Sequence, residues 1–186
     1  MAVHETSPQH SGPAVGRRLR DLRTARGLTL SELARAAGVG KATLSGLENG
    51  TRNPRLETLY AIAAVLQVPM SALTLDRGAP VSAASAVRGE AVVSTLLEVF
   101  EEPAATYELF LLRIVVGVEQ VSPAHPTGVT EHLTVYRGQA RVGPVGQPLV
   151  AGPGEHVSWS ADVPHVYAAE GADDVEASLL IRTPRG

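Results

Sequence analysis

The stretch Thr29-Leu-Ser-Glu-Leu-Ala-Arg-Ala-Ala-Gly38-Val-Gly40-Lys41-Ala-Thr-Leu-Ser-Gly-Leu-Glu48-Asn-Gly50 decides the fold of the first third of the chain. Thr29-Leu30-Ser31-Glu32 has the spacing of a capping box, so a helix opens there. Gly38 and Gly50 stand where a helix ends in a left-handed residue, a conformation that glycine adopts without steric cost. Between them, Leu44 and Leu47 are three residues apart, the spacing of one helix face. Two short helices joined through Ala37-Gly38-Val39-Gly40 make a helix-turn-helix layout, whose second helix enters the major groove of DNA.

Outward from this stretch the helical period continues. Leu19, Leu22 and Ala25 are spaced by three, and Leu59, Ile62, Ala63 and Leu66 follow one helical stripe. Gly27 ends the first helix, and Pro54 and Pro69 stand just before the fourth and fifth. The pattern predicts five helices, at about 15–26, 30–37, 41–48, 56–66 and 70–74. Leu19, Leu33, Leu44, Leu47, Leu59 and Leu66 read as their core. Residues 1–14 read as a disordered tail rich in Ser, Pro, His and Gly, and 76–91 as a linker of small and helix-breaking residues.

Beyond residue 91 the period changes to two. Glu108, Phe110, Leu112, Ile114 and Val116 alternate with Tyr107, Leu109, Leu111 and Arg113; Val175, Ala177, Leu179 and Ile181 form a second such run. Shorter strands are predicted at 92–100, 131–137, 139–143, 155–159 and 163–168, with turns at Gly138, Gly143-Pro144 and Gly152-Pro-Gly154. Short strands at this spacing argue for an all-β sandwich or barrel. The chain is thus expected to be multi-domain, α followed by β, with boundaries at 15–75 and 92–186.

Charge divides along the same line. Of 186 residues carrying a net charge of -3, residues 1–75 hold nine Arg or Lys against five Asp or Glu. The positive half is the candidate for phosphate contact, and the acidic half is not. There is no cysteine, which excludes disulfides and thiolate chemistry and fits a reducing cytoplasm. The N-terminus lacks the pattern of a signal peptide. The most apolar run, Leu109 to Val118, is broken by Arg113 and is too short to span a bilayer. A cytoplasmic protein without membrane contact is expected.

Residues 16–74 resemble the phage-repressor-like (Cro/C1, or XRE) helix-turn-helix family, a lambda-repressor-like five-helix bundle. The resemblance rests on Gly27, Gly38, the Ser45-x-x-Glu48-x-Gly50 run and Asn53-Pro54 in register. It implies that Lys41 to Glu48 is the recognition helix, with Lys41, Ala42 and Gly46 at base-reading positions. Thr43, Ser45, Asn49, Thr51 and Arg52 match positions near bases or phosphates, and Thr29, Ser31 and Arg35 flank them on the preceding helix. Arg23 and Glu48 match an internal ion pair. Three positions depart from the family. Leu30 replaces a glutamine that contacts phosphate, Gly40 replaces a serine, and Gly46 replaces a polar reader. Ala42 and Gly46 offer no side-chain hydrogen bond to a base edge. Direct readout is therefore expected from Lys41, Thr43 and Ser45, with the rest from backbone contacts and DNA shape.

The second half carries Ala124-His125-Pro-Thr127-Gly-Val-Thr-Glu131-His132-Leu-Thr-Val-Tyr-Arg-Gly138. Later comes Gly152-Pro-Gly154-Glu-His156-Val-Ser-Trp159-Ser-Ala-Asp-Val-Pro164-His165-Val-Tyr167. Together these resemble the two motifs of the cupin (jelly-roll) barrel. The resemblance implies a divalent metal (Zn, Fe, Mn or Ni) on His125, Glu131 and His165, with Thr127 standing where the family has a second histidine. The other reading is a polar pocket in which these residues bond one another or a ligand, and the lost fourth ligand favours it. If Glu131 faces the lumen, Leu133 and Val135 do too, whereas His132 points to the opposite face. The side of His156 is open. Ligand-binding candidates are His125, Thr127, Glu131, His165 and Tyr167. Arg113 is a candidate for a ligand carboxylate or a plain surface salt bridge. Apolar residues on both faces of 107–116 suggest a second copy covering the outer face.

A helix-turn-helix joined to a cupin resembles bacterial one-component transcription regulators. The resemblance implies a homodimeric, sequence-specific DNA-binding repressor with a partly palindromic double-stranded operator and a small-molecule effector in the cupin. It is read as a regulator and not an enzyme. The competing readings are a metal-dependent cupin enzyme with a DNA-binding appendage and a cupin that serves only to dimerise.

Overall fold

The structure, a computed structural model, describes residues 12–74 and 86–185. The expected tail up to residue 11, and residues 75–85 around the expected linker, lie outside the described residues. The first part is helical: α1 (Gly12–Ala25), α2 (Leu30–Ala36), α3 (Lys41–Glu48), α4 (Leu56–Leu66) and α5 (Ser71–Thr74). The helix α1 starts ahead of the expected residue 15. Its Pro13 suits a first turn, where the missing N–H would have no partner and the fixed φ is already helical.

The predicted caps are in place. Thr29 accepts from the Glu32 backbone N–H while the Glu32 carboxylate accepts from Thr29 N–H, the reciprocal pair of a capping box. Gly27, Gly38 and Gly50 have φ of 68°, 64° and 68°. Leu19, Leu33, Leu44, Leu47, Leu59 and Leu66 are all buried. One close approach was not foreseen. A Cβ on Gly16 would sit 2.3 Å from the Leu47 carbonyl oxygen, so a glycine lets α1 lie directly on the C-terminal turn of α3.

The second part is a two-sheet antiparallel sandwich of jelly-roll form. Its strands are β1 (Ala86–Arg88), β2 (Val92–Glu101), β3 (Ala105–Ile114), β4 (Glu119–Ser122), β5 (Thr130–Arg137), β6 (Gln139–Pro144), β7 (Leu149–Ala151), β8 (His156–Ser160), β9 (His165–Glu170) and β10 (Val175–Pro184). The six-stranded sheet runs β1-β2-β3-β10-β5-β8 and the four-stranded sheet β4-β9-β6-β7. Inward residues of both sheets, among them Phe110, Leu112, Leu133, Val142 and Leu179, fill the space between them.

Three strands lie outside the sequence expectation. The strand β1 falls inside the stretch read as linker, and β4 and β7 have only four and three residues. Runs this short carry no readable alternation, and pairing with β2, β9 and β6 makes them strands. The strand β3 also stops at Ile114, before Val116. There the chain turns at Gly117 (φ 81°), and the Val116 N–H donates to Asp174 Oδ1 at 2.8 Å.

The two parts are in contact, and one apolar cluster runs through both. On the helical side it includes Leu56, Tyr60, Met70 and Leu73; on the barrel side, Val92, Leu96 and Phe110.

Candidate functional site

The recognition face is built on α3. Lys41, Ala42, Asn49, Thr51 and Arg52 are exposed, as are Ser31 and Arg35 on α2, while Thr43, Ser45 and Gly46 are half-buried. Thr29 is the α2 cap, so its hydroxyl is engaged within the fold. The inner side of α3 is anchored by Glu48. Arg23 donates to it twice, Nε to Oε1 at 2.6 Å and Nη2 to Oε2 at 2.9 Å. This bidentate pair fixes the helix angle as well as its position. Burial alone would raise the Glu48 carboxyl; hydrogen bonds from Arg23 and Arg20 outweigh it and hold the group below its ordinary value.

Sequence reading missed Arg20. It lies one turn before Arg23 and donates to both Glu48 Oε2 (3.2 Å) and Asn49 Oδ1 (2.8 Å). Its signal was the spacing of three from Arg23, which places both on one face. Gly46 has a local role too. A Cβ there would come within 2.9 Å of Arg52 Cδ, so the stem of Arg52 lies across α3 in the space a side chain at 46 would take. The Gly46 carbonyl accepts from Thr51 N–H (2.9 Å) and Arg52 N–H (3.2 Å), which holds that arginine in place.

The second candidate site lies between the two sheets. His125 comes from the β4–β5 loop, Glu131 from β5, and His165 and Tyr167 from β9. Because β5 belongs to one sheet and β9 to the other, the site spans the sandwich. Glu131, Leu133 and Val135 are all fully buried, as the strand period requires. His132 lies on the other face and stacks on His156 with ring centroids 5.8 Å apart, which places His156 outside as well.

The Nε2 atoms of His125 and His165 face Glu131 Oε1 at 2.9 and 3.5 Å. All three are buried and none makes a well-directed hydrogen bond. The other ring nitrogen of His165, Nδ1, lies 2.9 Å from the Val163 carbonyl, to which it donates. That bond leaves the Nε2 lone pair of the neutral ring aimed at the carboxylate. Two electron-rich groups stay this close only with a proton or a cation between them. Burial alone would raise Glu131, but the His165 and His125 imidazoles hold it well below the usual carboxylate range. Burial opposes the charge on His165 and Glu131 outweighs it, so the imidazole is raised. The Tyr167 hydroxyl donates to Glu131 Oε2.

Three ligand atoms within 4.8 Å of one another, two imidazole and one carboxylate, suit a divalent ion. The Val163 carbonyl that accepts from His165 Nδ1 fixes the ring in the tautomer whose Nε2 can ligate. The residues therefore fit the metal that the barrel motifs imply. The structure does not bring Thr127 or Arg113 to this cluster. Thr127 is exposed in the turn after His125. Arg113 points outward and donates through Nε to Asp174 Oδ2 at 2.8 Å, in a surface hollow that includes Arg137 and Asp173.

Two further residues border the site without having been anticipated. Tyr60, on α4 of the helical part, stands edge-on to His125 with ring centroids 4.7 Å apart and an interplanar angle of 87°. It is only 6% exposed. Its hydroxyl is raised well above the ordinary value by burial, then by Glu131 and Glu108. Glu108, buried on β3, accepts the Ser71 N–H of α5 at 2.5 Å. Tyr60 adjoins the Leu59 stripe, and a second buried line on the same helix is the mark of a helix packed on two sides.

The helix-turn-helix family model HTH_3 matches residues 19–73. Across almost the whole chain the protein is similar to the HTH-type transcriptional regulator SutR of Escherichia coli (strain K12), at 36% identity over 170 residues, covering 90% of this chain and 93% of that one. An uncharacterized HTH-type transcriptional regulator, RghRB of Bacillus subtilis (strain 168), is 34% identical over 120 residues, 64% of this chain and 79% of that one. The crystal structure of an HTH_3 family transcriptional regulator from Vibrio cholerae superposes with a TM-score of 0.80 at 26% identity, covering 96% of this chain and 99% of that one.

Proposed function

Since this chain belongs to the HTH-type transcriptional regulators, with an XRE-type helix-turn-helix head followed by a cupin barrel, we propose that its barrel binds a small effector and thereby sets the affinity of the head for its operator. One observation carries this reading. Three ligating atoms, on His125, Glu131 and His165, converge inside a barrel joined to a DNA-binding head, each facing only the others. Two imidazole nitrogens gathered on one buried carboxylate oxygen are the donor set of a binding site.

In this reading residues 12–74 form the DNA-reading unit and 86–185 the sensing unit. Lys41, Thr43 and Ser45 face base edges. Arg52 and Arg35 contact phosphates, and the Arg23–Glu48 pair keeps the helix at its angle. His125, Glu131 and His165 hold a divalent ion, whose chemistry would be a Lewis-acidic contact for an oxygen or nitrogen of the effector. Tyr167 holds Glu131 in place through its hydroxyl. The protein acts without catalysis, in the cytoplasm, by occupying its operator and repressing transcription. Among the described residues no helix is long and apolar enough to cross a membrane.

The regulator is proposed to work as a homodimer on a partly palindromic site with half-sites about one helical turn apart, or a multiple of it. Support comes from the outer face of the six-stranded sheet, where Leu97 and Leu111 on neighbouring strands are 40% and 48% exposed.

The test is genome-wide binding of the protein, followed by operator titrations with and without candidate effectors and divalent metals. The reading expects at least one of these to change operator affinity, and Glu131→Ala to abolish the change. Ligands that bind the barrel yet never alter operator affinity would leave a dimerising cupin instead.

A further inference from the structure

The facing atoms of His125, Glu131 and His165 are out of reach of solvent, and part of the cover belongs to the other half of the molecule. The Tyr60 ring covers His125 from α4, at 4.7 Å and edge-on. Three further contacts hold the helical part there. Ser71 N–H donates to Glu108 Oε1 at 2.5 Å. Glu90 N–H donates to Glu57 Oε1 at 2.7 Å. Gly89 packs so tightly between Glu57 and Gln120 that a Cβ would lie 2.4 and 2.3 Å from their carboxylate and amide oxygens. Gln120 is itself pinned by the N–H groups of Ala91 and Val92 at 3.1 and 3.0 Å.

We propose that Tyr60 is the gate of the barrel site, so that a ligand reaches His125, Glu131 and His165 only when the helical head lifts off the barrel. This rests on the reading of that cluster as a binding site and adds how the site is regulated. Tyr60 lies on the same rigid bundle as the recognition helix, so opening the site displaces the DNA-reading surface. Entry is limited by the fraction of molecules that are open, and an occupant large enough to reach into the space of the Tyr60 ring binds the open state alone and shifts the population toward the undocked head. No long pathway is needed, because the plug and the reader belong to one body.

The protein provides its own reporter. Trp159 is the only tryptophan, and its ring lies 6.4 Å from that of His165. Nickel(II), a quenching ion suited to imidazole ligands, serves as the probe on the full chain. Its binding is followed by Trp159 fluorescence in stopped flow, and amide hydrogen exchange is read at Ser71 and Glu90 with and without the ion. Nickel is expected to quench Trp159 at a rate that follows the opening rate read from exchange at both amides. Glu57→Ala, which removes a docking contact away from the cores, is expected to speed nickel entry at least threefold. Tyr60→Ala should speed it tenfold or more, and Tyr60→Phe, which keeps the ring, should stay within twofold of the parent. Circular dichroism checks that each variant is folded. An entry rate in Glu57→Ala or Tyr60→Ala equal to that of the parent overturns the gate while leaving the site intact. Absence of quenching in every protein removes the site itself, and the gate with it.

Discussion

Arg23 grips Glu48 through two nearly parallel hydrogen bonds, of 2.6 and 2.9 Å, across the space between the first helix and the recognition helix. The Arg23 Nη1 also donates to the Leu28 carbonyl at 2.8 Å, so one guanidinium ties three segments together. Removing only the acid strands a mostly buried cation. Glu48→Ala is expected to cost about 3 kcal/mol in urea denaturation, and the double change to Arg23→Met with Glu48→Leu considerably less. The acid limb of stability should follow the same group. The carboxyl is held below its ordinary 4.5 in the fold, so the pair contributes fully above that value. The contribution is lost as pH falls from 4.5 through the lower, folded value.

Glu108 titrates in the opposite sense. Burial raises it above 4.5 in the fold, against the Ser71 hydrogen bonds that lower it. A raised acid binds its proton more tightly when folded, so stability declines as pH climbs from 4.5 through the folded value. Glu108→Gln keeps an acceptor for Ser71 and carries no charge. It should equal or exceed the parent in melting temperature at pH 7, and the difference should close or reverse below pH 4.5.

Gly46 and Arg52 form the next test. Gly46→Gln would press on the stem of Arg52, an exposed side chain that can swing away. The variant should fold normally and gain up to about 1 kcal/mol, because a helix loses a glycine. Its DNA binding should nevertheless weaken, since Arg52 is swept from its place. Arg52→Ala should flatten the slope of log affinity against log salt by about one, read by fluorescence anisotropy, and weaken all sequences alike.

Thermal melting in zinc(II) checks the barrel cluster. At a hundred times the dissociation constant a ligand of the folded state adds about 2.7 kcal/mol. The barrel transition should rise accordingly in the parent. It should not move in His165→Ala or Glu131→Ala, and Thr127→Ala, an exposed position, should behave as the parent.

Gly89→Ala addresses the joint between the parts. The added methyl meets two oxygens that are already held by hydrogen bonds. The expected result is a larger radius of gyration in solution scattering and faster proteolysis within residues 86–90, with both secondary-structure signals retained.

What could be read from the sequence follows the length over which each physical signal repeats. The helices were legible because glycine punctuation and a stripe of leucines agree over several turns. Leu133 and Val135 could be placed beside Glu131 because strand alternation admits no drift. The Arg23–Glu48 pair came through family register, whereas Arg20 needed three dimensions. The strands β1, β4 and β7 are too short to show a period, and their neighbours create them. Tyr60 was illegible for a different reason. Its partner His125 is far away in the chain and in another domain, and neither local pattern mentions the other. Arg113, which the sequence left between ligand and surface, is fixed by Asp174, a residue from the far end of the barrel sequence.

The placement of Glu131 on one sheet and of His165 and Tyr167 on the other has a mechanical consequence. Each sheet of a sandwich is stiff along its own hydrogen bonds and softer toward its neighbour. Here the hydroxyl of Tyr167 already bridges that soft direction to Glu131. An occupant bonded to Glu131 and His165 would add a second stitch through the same seam. The barrel would then resist shearing of its two halves, and whether it is full or empty would be felt as rigidity by every loop that rims its mouth.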